Sequence, residues 1–290
     1  MIHETLKQIT TTDGYTLSLH IFSPTDVEYH RSNCDGVILA VHGLGEHMNR
    51  YNQLAEITCH KNKIFAAFNV RGHGKNSAQK GDVQNLSCLI LDIIQAFNTL
   101  KELFLNIKKN SFVLFGHSFG GLQATYAASV LLQEVKKIFL SAPFYANKQK
   151  IPQWKILLSN NLAHFAPGLN IPLGTNTNDL SNNPENNENY KNDPINLTNI
   201  SARFGKTLLN AIDKNNVKAA IQNITAEVTI IIPNDDKLVD SQVTKELLSS
   251  FQTPVHTFEI EGAGHEAFNE VDNIRKIAFA HYEKWLENIA

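Results

Sequence analysis

Cysteine is scarce in this chain: Cys34, Cys59 and Cys88 are the three present in 290 residues. They are scattered and form no C-x-x-C pair, so neither a disulfide framework nor a thiolate zinc site is expected. An odd number of isolated thiols suits a reducing compartment. A dominant charge is missing too: 26 Lys and Arg are interspersed with 28 Asp and Glu, for a formal net charge of -2. That excludes the basic stripe of a nucleic-acid binder. No uninterrupted apolar run approaches the roughly 18 residues of a membrane-spanning helix. The opening "MIHETLKQITTTDGYTL" lacks a basic segment followed by an apolar one, so no signal peptide is expected and the location is read as cytoplasmic.

What is present describes an ordinary globular protein, with 42% hydrophobic and 19% charged residues. Its length allows one large α/β domain, or a core with an inserted lobe. Asp13-Gly14 between two alternating runs signals a hairpin. Buried-strand patterns at 36–43, 63–70 and 136–144 then alternate with helical patterns, the longest at 86–104. This rhythm stops at residue 145 and resumes at 227–236. Between them lies an apolar, proline-containing stretch, then an asparagine-rich tract that reads equally as a linker or a structured loop. The expected architecture is a mainly parallel sheet with helices on both faces. Its core would comprise residues 1–145 and 226–290, interrupted by a mainly helical insertion at 146–225.

In such sheets reactive groups collect at the carboxyl ends of the strands. "VLFGHSFGG" (113–121) is the most pointed case, a strand running into a helix with glycine two places before and two places after Ser118. Serine at such a junction commonly caps the helix. A cap needs no flanking glycines, whereas a tight strand-to-helix turn does. The pattern matches a nucleophile elbow, which holds its serine in a strained conformation clear of the strand end.

A serine hydroxyl needs a base, and the base needs an acceptor to fix its tautomer. Of the histidines after Ser118, His265 lies in a glycine-flanked loop directly after a strand, "EGAGHE". His164 falls in the insertion, His256 within a strand and His281 in the last helix. The acid follows another strand, in "NDDKLVD", where Asp236 is chosen and Asp235 remains an alternative, one of the two being free to cap a helix. An oxyanion hole needs two aimed donors. The N–H of Phe119 is one, and the N–H of Leu44, in the glycine-rich loop "HGLGEHMNRY", is the candidate for the other. His42 is read as a brace for that loop; a metal site shared with His47 and His73 lacks any accompanying carboxylate pattern.

"HGLGEHMNRY", "NVRGHGKNS", "GHSFGG", "NDDKLVD" and "EGAGHE" together resemble the monoacylglycerol lipase and lysophospholipase group (S33-type hydrolases) of the α/β-hydrolase superfamily. The likeness runs along the whole chain, with "LSNNPENNENYKNDPI" similar to the cap segment of that group. It implies an α/β-hydrolase fold with a cap over the site, Ser118 as nucleophile, Asp236 as acid, His265 as base, Leu44 and Phe119 as oxyanion donors, and no cofactor or metal. Asn69 stands where that family often has aspartate, which bears on loop structure rather than on the chemistry.

The expected activity is ester hydrolysis through an acyl-serine, on single-acyl lipids such as monoacylglycerol or lysophospholipid. Trp154, Leu158 and Phe165 belong to an apolar series in the insertion that packs on the core, lines an acyl tunnel or touches a membrane surface transiently; they are the expected substrate-binding residues. A general short-chain carboxylesterase is the alternative. An aminopeptidase would need acidic groups in the insertion, such as Glu185 and Glu188, and a binding module would need a broken triad.

Overall fold

A computed structural model of the chain describes residues 2–24, 34–75, 79–108 and 111–289. β1 (His3–Thr10) and β2 (Thr16–Ser23) form the antiparallel hairpin around Asp13-Gly14. There follow β3 (Val37–Val41), α1 (Asn52–His60), β4 (Ile64–Phe68), α2 (Leu86–Leu103), β5 (Phe112–His117), α3 (Phe119–Leu131) and β6 (Lys137–Ser141). The segment after β6 contains α4 (Gln153–Phe165), β7 (Asn170–Pro172), α5 (Pro184–Asn192), β8 (Asn199–Ser201), α6 (Ala202–Ala211) and α7 (Lys214–Gln222). The chain then returns to the sheet with β9 (Glu227–Pro233), α8 (Ser241–Leu247), β10 (Val255–Ile260) and α9 (Asp272–Glu287). The main sheet has 8 strands in the order β1-β2-β4-β3-β5-β6-β9-β10. All neighbours from β4 to β10 pair in parallel, and the hairpin joins antiparallel at the β4 edge.

The central strands β3, β4 and β5 read as continuous buried runs because both faces of the sheet are covered there. In β3, Val37, Leu39 and Val41 enter one buried cluster while Ile38 and Ala40 enter the other. α2 and α3 cover the first face, the former through Leu89, Ile93, Ala96, Phe97 and Leu100 at helical spacing. α1 and α9 cover the second. There the rings of Phe115, Phe139, Phe268, Tyr282 and Trp285 pack into one aromatic core, and the Tyr282 hydroxyl is 2.7 Å from Thr58 Oγ1.

The long connection between β6 and β9 is folded throughout its described length. β7 and β8 pair antiparallel. The second half of this insertion lies directly on the sheet's core, with Phe204, Leu208, Ala211, Val217 and Ile221 in the same buried cluster as α2 and α3. The asparagine-rich tract is structured, α5 being started by Asn183, which accepts the N–H groups of Glu185 and Asn186, and by Pro184 in the first turn. Among the described residues no helix is long and apolar enough to cross a membrane.

Phe115 is fully buried, with the rings of Tyr51, Phe139, Phe268 and Tyr282 at centroid distances of 5.9, 5.6, 6.0 and 5.8 Å. Phe115→Ala should therefore cost about 3–5 kcal/mol of stability in urea unfolding. A loss below about 1 kcal/mol would show that this cluster is not tightly packed.

Candidate active site

Six strand ends bring their following loops to one rim of the sheet. At the centre is the β5–α3 junction, where Ser118 has φ 53° and ψ -121°. The turn is enforced by close contact: a Cβ at Gly116 would lie 2.5 Å from Gly120 O, and one at Gly120 would lie 2.1 Å from Val41 O. No larger residue fits at either place. The Ser118 N–H donates to Ser141 O (2.9 Å), tying the turn to the end of β6, and the side chain opens on a cavity of about 630 Å³.

His265 opens on the same cavity from the loop after β10. Its Nδ1–H donates to Asp236 Oδ2 at 2.7 Å, and both side chains are buried. Asp236 Oδ1 in turn accepts the N–H groups of Leu238 and Val239, each at 2.8 Å. Burial alone would raise the Asp236 carboxyl; the His265 ring and these N–H donors outweigh it and hold it below its ordinary value. For His265 burial works downwards, and the Asp236 carboxylate overcomes it and raises the imidazole. Ser118 and His265 line the same cavity, with no hydrogen bond between Ser118 Oγ and His265 Nε2.

Asp235 is exposed, with its N–H on Ala263 O, and takes no part in this pair. The helix-capping role falls to Asp240, which accepts the Gln242 N–H at the start of α8. His164 is exposed on α4 and His256 lies in β10, while His281 stacks on Phe258 at 3.8 Å. The Leu44 and Phe119 N–H groups have no acceptor among the described residues. The loop of Leu44 abuts the serine, since a Cβ at Gly43 would lie 3.2 Å from Ser118 Cβ. Asn69 is buried and accepts the Met48 N–H at 3.0 Å, a loop-holding contact. No group of His, Cys, Asp or Glu among the described residues is arranged to hold a metal.

The structure places the expected substrate contacts away from this cavity. Trp154, Leu158 and Phe165 lie on the outer side of α4, at 63%, 48% and 80% exposure, and do not line the cavity. Helical spacing makes one apolar face without saying what that face meets. Leu44, Phe144, Ile151, Leu173, Leu180 and Val239 supply the apolar wall instead, and the exposed Gln149, Thr175, Asn176 and Lys237 form a polar mouth. Glu185 and Glu188 are also outside the cavity.

Sequence reading missed a buried charge cluster beside His265. Arg50 donates to both oxygens of Glu266 (2.6 and 2.7 Å), to Glu46 (2.9 Å) and to Asn186 of α5 (2.9 Å). Glu46 also accepts the Gly43 N–H and the Tyr51 hydroxyl, each at 2.6 Å. The signal was present in "GEHMNRY", where Glu46 and Arg50 stand four apart, but the partner Glu266 is 216 residues from Arg50.

The family described as serine aminopeptidase, S33, matches residues 32–272 of the chain. A rat protein named monoglyceride lipase is 25% identical over 99% of this chain and 91% of its own length. A monoacylglycerol lipase from Mycolicibacterium smegmatis is 23% identical over 87% of this chain and 88% of its own. Among solved structures, the monoacylglycerol lipase of Paleococcus ferrophilus superposes with a TM-score of 0.82 at 24% identity, covering 94% of this chain and 99% of that one. A soluble variant of the Saccharomyces cerevisiae monoglyceride lipase, solved with a substrate analogue, also gives 0.82 at 20% identity, covering 99% and 96%. These structures show the α/β-hydrolase fold.

Burial pushes three histidines around the site down from the 6.5 of a free imidazole: His42 and His73 to about 3, and His117, helped by His265, to about 4. An unfolded chain takes up these protons below about pH 6.5 and the folded one resists them, so stability falls as pH is lowered through that range. Each ring should cost about 2 kcal/mol by about pH 5. Urea unfolding at neutral pH and at successively lower pH tests this; a flat stability down to about pH 5 contradicts it.

Proposed function

Because the chain belongs to the serine aminopeptidase S33 family, we propose that it is a serine hydrolase that cleaves the ester bond of single-acyl glycerol lipids, with monoacylglycerol or lysophospholipid as substrate. The reading is carried by one observation: a strained Ser118 and an Asp236-bound His265 open on the same partly apolar cavity. The names of the relatives point to the same ester class. Residues 146–225 act in this reading as a cap over a core of residues 1–145 and 226–290.

Ser118 Oγ attacks the ester carbonyl as His265 Nε2 takes its proton, and the carbonyl oxygen becomes an oxyanion held by the Leu44 and Phe119 N–H groups. Asp236 stabilises the imidazolium. Collapse of the tetrahedral adduct breaks the bond to the alkoxy oxygen, which leaves with the proton from His265. A water then gives its proton to His265 and adds to the acyl-serine, and a second collapse returns the proton to Ser118 and frees the fatty acid. The cavity lies in the size range of small-molecule sites. Its apolar wall takes the acyl chain and its polar mouth keeps charged or hydroxylated groups wet.

Ser118→Ala should abolish hydrolysis of p-nitrophenyl esters and labelling by a fluorophosphonate probe; a near-normal rate would place the nucleophile elsewhere. The base must be neutral, and its pKa is raised, so kcat/KM should climb with pH through an apparent value above 6.5. Asp236→Asn should cost about 10⁴ in kcat. A limb centred below 6.5 contradicts this assignment of the base.

Substrate class is tested by chain length and by interface. Each methylene entering the apolar wall contributes about 0.8 kcal/mol, roughly fourfold in kcat/KM, until the wall ends. Faster cleavage of acetyl and butyryl esters than of longer ones would favour the general carboxylesterase. The outer face of α4, with Trp154, Leu157 and Phe165 exposed, is a lipid-surface contact in this reading. Changing these three to serine should reduce turnover of substrate presented in vesicles and leave soluble esters unaffected; equal rates on vesicles would remove that role.

A further inference from the structure

Two buried histidines join the loops after β3 and β4 reciprocally. His42, on the first loop, accepts the Val70 N–H of the second at Nε2 (2.9 Å) and donates its Nδ1–H to Gly43 O (2.8 Å). His73, on the second loop, accepts the Gly45 N–H of the first at Nε2 (3.1 Å) and donates its Nδ1–H to Arg71 O (3.1 Å). The rings meet edge-on with centroids 5.2 Å apart. Both must be neutral with the proton on Nδ1, because an imidazolium has no acceptor.

The consequence falls on three successive N–H groups. That of Gly43 is held by Glu46 Oε1 at 2.6 Å and that of Gly45 by His73. The Leu44 N–H between them has no acceptor among the described residues. Gly45 has φ +83°, where a residue without a Cβ is otherwise free to turn. Each peptide is a rigid plane, so tying the donors on either side leaves the middle one little rotation. His73 is fully buried and does not line the cavity, and it therefore acts through the loop rather than on substrate.

We propose that His73 is a positioning residue: by accepting the Gly45 N–H it keeps the Leu44 N–H aimed into the cavity above Ser118. This rests on the proposed function, in which Leu44 is an oxyanion donor. Such a donor acts mainly in the transition state, so its misplacement should appear in kcat rather than KM.

His73→Phe keeps a ring and removes the acceptor, whereas His73→Gln returns a carbonyl oxygen near the position of Nε2. On a monoacylglycerol substrate His73→Phe should lower kcat about 10- to 100-fold with KM within about twofold, and His73→Gln should recover most of the loss. Affinity for an alkyl boronic acid, which forms a tetrahedral adduct with Ser118, should fall in parallel with kcat. Wild-type kcat and boronate affinity in folded His73→Phe overturn the proposal. So does a joint loss of kcat, KM and thermal stability that His73→Gln fails to repair. Should either variant not fold, nitrogen-15 NMR of the wild-type ring decides: at neutral pH Nε2 must carry no proton, and a protonated Nε2 overturns the assignment. Wild-type fluorophosphonate labelling and boronate binding are measured first. If both are absent the proposed function fails; if both are present and His73→Phe is unaffected, only the role of His73 fails.

Discussion

The start of α3 is pressed against the end of β3 so tightly that a single added carbon at Gly120 would sit 2.1 Å from Val41 O. This backbone contact sets the rest of the rim. It permits no extended linker between β5 and α3, so the turn is made within one residue and Ser118 takes a positive φ at a cost of about 1–3 kcal/mol. The surrounding sheet absorbs that strain, since β5 is paired on both sides and its neighbours are buried. In return the hydroxyl stands at the positive end of a helix, beside the unoccupied N–H of Phe119 and against the loop of Leu44.

A second constraint is electrostatic. Arg50, Glu46 and Glu266 are withdrawn from water, and each charge is acceptable there only while the others remain. Burial lowers the Arg50 guanidinium and raises the Glu266 carboxyl, but their attraction reverses both, keeping the pair ionised. Glu46 fixes the loop that carries Leu44, Glu266 is the neighbour of His265, and Asn186 belongs to α5. With Tyr190 packed against the guanidinium at 4.8 Å and His47 bonded to Asp193 at 2.8 Å, this part of the insertion is wired to the loops that carry Leu44 and His265. α4 is different: its outer apolar residues face solvent, so the two ends of the insertion meet different surroundings.

Much of the frame was legible in the chain because its causes are local. Continuous apolar runs such as 37–41 announced strands covered on both faces, and the helical pattern at 86–104 announced α2, which buries Leu89, Ile93, Ala96, Phe97 and Leu100. The bounds of the asparagine-rich tract were not legible, since Asn183 as a helix cap and Asn187 as a buried donor look alike in composition. The apolar series of α4 was visible, but whether it meets the core, a tunnel or a membrane surface was not, and Trp154, Leu158 and Phe165 stand exposed outside the cavity.

By itself the amino-acid order determined the tight serine turn, the two-faced strands and the loops that carry Ser118, Asp236 and His265, because sterics and side-chain period act over a few residues. Only the folded chain decided that Asp236 and not Asp235 reaches His265 across 29 positions. It also decided that Glu266 pairs with Arg50, and that Leu44 is left with an unused donor between two occupied ones. Those outcomes depend on the direction of each side chain after the sheet has twisted and its strand ends have met. Spacing along a chain does not encode that direction.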